Sequence, residues 1–156
     1  MENSSVSELL EALKHPEEAV RQQATDDLWR IWFQQKGAVG TQRLMKSQTL
    51  LEAGQIEAAE ALLSEVIAEQ PDFAEAWNRR AVLYFTQKRY RNAIADCEKV
   101  IHLVPYHFGA LHGLGLCHAA LGNYVAAIQA FRRALEVQPY SLINQRLILE
   151  CTAQLS

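Results

Sequence analysis

The sequence predicts an all-α fold, an elongated array of stacked helix pairs closed at both ends by helical caps. Three observations carry that prediction. Pro71, Pro105 and Pro139 recur at one interval, 34 residues. Each unit they close contains two stretches with apolar residues at helical spacing, divided by a short turn: AGQI, QKRY or LGNY. The chain of 156 residues is 49% hydrophobic and 21% charged, which suits one folded domain and argues against disorder as its main state.

The chain opens with Ser5-Val6-Ser7-Glu8, which fits a capping box for a short helix through Lys14. His15-Pro16 breaks that helix, because proline lacks an N–H and biases its predecessor away from helical geometry. Pro16 suits the first turn of a second helix, Glu17 and Glu18 complement its dipole, and Gly37 can end it. Val20, Ala24, Leu28, Ile31 and Trp32 fall on one side of this helix. The expectation is an N-terminal cap over residues 1–39 that packs against the first repeat.

The repeats run as 40–73, 74–107 and 108–141, each with a proline that ends its second helix. Two short amphipathic helices cannot bury their apolar stripes alone, so each pair stacks on the next and the core runs along the array. The tail LINQRLILECTAQLS, residues 142–156, has the register of a further first helix without its partner and is expected to cap the array. Cys151 repeats the position of Cys117, which gives both a packing role. Apolar surface left over on the tail predicts a monomer or a weak homodimer through the terminal helices.

In this register the chain resembles the tetratricopeptide repeat family. The unit 74–107 has Trp77, Tyr84, Ala93 and Pro105 at the family's Trp, Tyr, Ala and Pro positions, with Ala81 where glycine is usual. The unit 108–141 has Leu114, Gly115, Ala127, Phe131, Ala134 and Pro139, with His118 in place of tyrosine. The unit 40–73 keeps Ala59 and Pro71, while Lys46 and Ser47 replace the Leu-Gly pair. The resemblance implies a right-handed superhelix of three such units whose first helices line a concave groove. It implies a non-catalytic scaffold or adaptor that holds a peptide segment or helix of a partner protein there. The groove residues it nominates are Leu44, Met45 and Gln48, then Glu75, Asn78, Arg79, Val82 and Phe85, then Gly109, His112, Gly113 and Leu116. Some members clamp a chaperone's acidic tail with basic and amide side chains. Here Leu44, Gln48, Asn78, Val82, Gly109 and Gly113 stand at the clamp positions, which argues against that role.

HFGALHGLGLC, residues 107–117, places Gly109, Gly113 and Gly115 inside a helical pattern. Each costs roughly 1 kcal/mol relative to alanine in a helix interior. Gly115 is explained as a close-packing position. Gly109 and Gly113 have two readings: they bare a patch of backbone for a ligand, or large neighbours such as Phe108 or the C-terminal helix fold over it.

No catalytic constellation emerges. The sequence lacks a GxSxG elbow, a GxxxxGK[ST] phosphate loop and an HExxH zinc helix. His102, His107, His112, His118 and Cys117 cluster in sequence, but repeat register points them in different directions, so no metal or other cofactor is expected. An odd set of three cysteines without a CxxC pair predicts reduced thiols and a cytoplasmic setting. No apolar run is long enough to cross a bilayer.

The net charge of −3 is unevenly spread: −3 over 1–39, −4 over 40–73, +3 over 74–107 and +1 over 108–156. Arg79, Arg80, Lys88, Arg89, Arg91 and Lys99 thus offer an alternative function, binding of nucleic acid or another polyanion by the basic second repeat. Glu75, Asp96 and Glu98 interrupt that patch. Arg79 has a further alternative, pairing with Glu75 one turn earlier rather than with a partner's carboxylate or phosphate.

Overall fold

The computed structural model describes residues 2–156, with side chains from Val6 onward. The capping box at Ser5 therefore rests on a side chain outside the described ones. Nine α-helices and no strand occur among the described residues. They are α1 (Glu2–Ala12), α2 (Glu18–Phe33), α3 (Gly37–Glu52), α4 (Ile56–Glu69), α5 (Ala74–Thr86), α6 (Tyr90–Leu103), α7 (Phe108–Ala120), α8 (Tyr124–Val137) and α9 (Leu142–Gln154). None is long and apolar enough to cross a membrane.

The pairs α3/α4, α5/α6 and α7/α8 share one hairpin design. Gly54, Lys88 and Gly122 occupy the same repeat position and all adopt positive φ, at 79°, 61° and 80°. The residue that follows each donates its N–H back to Leu50, Tyr84 or His118, at 2.8–2.9 Å, which satisfies a carbonyl at the helix end. Lys88 is the one non-glycine residue with positive φ among those described, so the second repeat holds a strained version of the same turn.

Packing follows the small residues. Ser47, Ala81 and Gly115 are buried at equivalent positions of the three first helices, and a Cβ on Gly115 would collide with the Phe131 ring. The Ser47 hydroxyl donates to the Leu44 carbonyl at 2.7 Å, which satisfies it without a partner on another helix. One apolar cluster joins α3, α4 and α5 around Leu44, Leu63, Val66 and Phe73. A second joins α5 to α8 around Val100, Leu111 and Ala134. Cys151 of α9 packs on Phe131 and Ile128 of α8, so the tail helix lies against the third unit. First helices of neighbouring units meet, α3 on α5 and α5 on α7, while the second helices are held further apart. The first helices therefore line the inside of the bend.

The N-terminal hairpin departs from expectation. Helix α2 does not sit on the first repeat alone but runs along the loops that join all three units and α9. Lys36, just beyond its end, pairs with Asp72 at 2.7 Å, and Gln35 donates to the Asp72 carbonyl. Trp32 stacks on His107 with ring centroids 4.0 Å apart. Thr25 accepts from Gln138, and the Arg21 guanidinium lies 4.1 Å from the centre of the Tyr140 ring. Asp72, Tyr106 and Tyr140 stand 34 residues apart, and about 18 Å of helix from Arg21 to Phe33, with the turn that carries Lys36, spans them. The reason is apolar complementarity: Leu28 and Trp32 form a core with Leu13, Ala24 and Phe108, and Phe108 belongs to the third unit.

Cys97, Cys117 and Cys151 are free and buried. Burial pushes the Cys117 thiol up to about 11 and raises Cys97 and Cys151 as well. At pH 8 only about 0.1% of Cys117 is then thiolate, against roughly a quarter of a free thiol. Labelling of Cys117 by a disulfide reagent at pH 8 will run at least a hundredfold slower in the native protein than in urea, and will accelerate as pH rises. Lys88→Gly will relieve the left-handed strain and raise stability by about 1 kcal/mol, read from the urea midpoint.

Candidate functional site

The inner surface is organised around a carboxylate that no water reaches. Glu75 opens α5 and is wholly buried. Its Oε1 lies 3.1 Å from Nε2 of His107, its Oε2 accepts from Nε of Arg79 at 3.0 Å, and Nδ2 of Asn78 approaches both oxygens at 3.3–3.4 Å. His107 is itself fully buried and caps α7, its Nδ1 accepting from the Ala110 N–H at 3.0 Å. That bond fixes the tautomer: the proton sits on Nε2 and is donated to Glu75. Trp32 covers the imidazole face and Trp29 meets its edge at 5.3 Å. One network thus ties α5, α7 and α2 together.

Beside it a cavity of about 260 Å³ opens between α3 and α5, with Trp29 forming one wall. Gln48, Glu75, Asn78, Arg79 and Val82 all line it, so five of the nominated groove residues meet at one cavity. Leu51, Leu63 and Leu83 are its apolar walls. The Arg79 guanidinium pairs with Glu75, approaches Oε1 of Gln48 at 3.4 Å and lies 5.1 Å from the centre of the Phe33 ring. The alternative reading of Arg79, as a partner of Glu75, is thus the one the structure realises.

The other nominated residues lie elsewhere. Leu44 has no exposed surface and belongs to the core beneath α4, which corrects its placement on an open groove. Gly109 is also corrected: Trp29 from α2 covers it, and a Cβ there would come within 2.5 Å of the indole. Neither Phe108 nor the C-terminal helix does this. His112 bonds through Nδ1 to the buried Asn144 at 2.7 Å, joining α7 to α9. Gly113 and Leu116 are half-buried further along α7. A Cβ on Gly113 would meet only Cys97 Sγ, at an ordinary 3.5 Å.

Sequence reasoning missed Trp29 as a groove residue and His107 as the link between units. Trp29 lies one turn before Trp32 on α2, and His107 occupies the position that Ser141 fills as the side-chain cap of α9. Three of the six basic residues of the second repeat, Arg79, Arg80 and Arg89, are paired with carboxylates. Arg80 grips the buried Asp96 through two bonds of 2.8 and 2.9 Å, and Arg89 reaches Glu60 at 2.8 Å. The Arg89 guanidinium holds the Glu60 carboxyl below its ordinary value. No group of three His, Cys, Asp or Glu side chains is arranged to hold a metal among the described residues.

Stacked helix pairs with a lined inner face define a helical-repeat protein. Two family profiles described as tetratricopeptide repeat match residues 44–108 and 109–141, and the chain belongs to that family. A TPR repeat-containing protein of Rhizobium etli is 36% identical over 111 residues, covering 70% of this chain and 54% of that protein. The Hsp70-Hsp90 organizing protein of Triticum aestivum is 30% identical over 94 residues, covering 60% of this chain and 16% of that protein. The chain thus spans about half the length of the first relative and a small part of the second. Among solved structures, the first TPR of Spaghetti bound to an HSP90 peptide superposes with a TM-score of 0.70 at 20% identity, covering 72% of this chain and 90% of that one. MamA gives 0.68 at 21% identity, covering 71% and 65%. These likenesses describe the fold.

The two glycines separate by experiment. Alanine gains about 1 kcal/mol over glycine in a helix unless its Cβ clashes. Gly113→Ala will stabilise by about that amount. Gly109→Ala will lose about 2 kcal/mol and speed hydrogen exchange in α2 before the repeats, because the clash falls on Trp29.

Proposed function

We propose that the chain is a non-catalytic adaptor that holds a peptide segment or helix of a partner protein in the groove along its first helices. The observation that carries this reading is the cavity between α3 and α5, where Gln48, Asn78, Arg79 and Val82 converge on an opening with an exposed valine at its mouth. Fold relatives with bound heat-shock peptides support the class of function: the Spaghetti domain holds SRMEEVD, and a yeast Sti1 domain forms a complex with pHsp70. Their ligands are not carried over. Leu44 is buried, and Gly109 and Gly113 bring no cation to an acidic tail. The three free thiols support a reducing, cytoplasmic setting.

The test is a quantitative pull-down from native-source lysate with wild type, Val82→Arg and the double variant Lys88→Glu/Arg91→Glu, each first shown equally helical. Val82→Arg will lose at least nine-tenths of the partner signal, while the double variant will keep it. Loss confined to the double variant, with binding that weakens steeply in salt, moves the function to the basic surface of the second repeat.

A further inference from the structure

We infer that the cavity beside Trp29 is a specificity pocket for one uncharged apolar side chain of the partner peptide, with the Trp29 indole as its selecting wall. The inference rests on the groove reading and adds the chemistry of what the groove takes. Size is the first argument. At about 260 Å³ the space falls below the roughly 300–1,000 Å³ of small-molecule sites, and it suits a single large side chain.

Charge is the second. Arg79 is the one cation on the lining and Glu75, wholly buried, the one anion, and the two neutralise each other. A ligand carboxylate could reach only the outer guanidinium nitrogens of Arg79, whose charge Glu75 already offsets. A ligand ammonium would meet the guanidinium as a like charge. Only an uncharged group enters without either cost. The apolar surface it would cover belongs to Leu51, Trp29 and Val82, the last with 48% of its surface exposed, and Leu63 and Leu83 lie buried behind them.

The rim supplies main-chain contacts. Asn78 commits its amide nitrogen to Glu75, and no donor among the described residues reaches its Oδ1, so an acceptor remains for a peptide N–H. Gln48 stands across the opening on α3. The site therefore reads one apolar residue and the backbone beside it.

The test pans a phage library of random dodecapeptides against the full chain, then measures synthetic copies of the enriched peptides on wild type and Val82→Arg. The expected result is a set of peptides weakened at least tenfold by Val82→Arg that share one Leu, Met, Phe or Trp. Replacing that residue with Ala will weaken binding at least fivefold, and with Asp at least fiftyfold. Peptides that depend on Val82 but carry an acidic motif, or tolerate Asp at the shared position, overturn the pocket's chemistry and leave the groove reading standing. A library that yields only peptides indifferent to Val82→Arg, or none, overturns the groove reading and the pocket together.

Discussion

A buried carboxylate sets the terms for the inner face of this protein. Removing Glu75 from water costs several kcal/mol unless its lone pairs are met by well-placed donors. Three side chains meet them, and they come from two helices: Arg79 and Asn78 from α5, His107 from the cap of α7. The requirement is therefore also a constraint on geometry. The second and third units cannot slide against each other without stripping a donor from Glu75. Trp32 extends the constraint to α2, because its indole seals the imidazole that the carboxylate needs.

From that constraint follows the role of the N-terminal hairpin. It shares a core with the third unit through Phe108, and it touches each inter-unit loop in turn. Ridge-like contact along several repeats stiffens an array that otherwise depends on nearest neighbours. A wall built this way is a fixed part of the groove, because Leu28 and Trp32 are almost fully buried in it. Trp29 then shapes the cavity between α3 and α5 as a rigid surface, the kind of preorganisation that lowers the cost of binding.

The repeat architecture was legible because its cause is local. Pro71, Pro105 and Pro139 end helices by covalent geometry, and small residues recur where helices approach, so period and packing are both written along the chain. The closing helix α9 was legible for the same reason. The site was legible only in part. Gln48, Asn78, Arg79 and Val82 meet as register implies, since they follow from repeat geometry alone. What escaped comes from contacts with no period. The path of α2 is decided by which far surfaces its tryptophans fit, and Gly109 gives no sign in sequence of whether its bare backbone awaits a ligand or an indole of the same chain. His107 hid in a position that reads as a loop residue until its cap bond and its partner Glu75 are placed in space.

Register also explains which part of the inner face the chain leaves uncommitted. Thr41, Glu75 and Gly109 occupy the same position in successive first helices, and each is engaged by the chain itself. The Thr41 hydroxyl bonds to the Phe33 carbonyl, Glu75 is locked by His107, and Gly109 lies beneath Trp29. One turn on, Leu44 belongs to the core and His112 is bonded to Asn144, while Asn78 gives its amide nitrogen to Glu75 and keeps only its Oδ1. The third row, Gln48, Val82 and Leu116, is the first along these helices whose side chains are half-buried or exposed without such commitments in the second unit, where Val82 stands open. Under the proposed groove reading a partner engages the first helices deeper than their N-terminal turns, and the apolar middle residue of that row favours aliphatic and aromatic contacts over salt bridges.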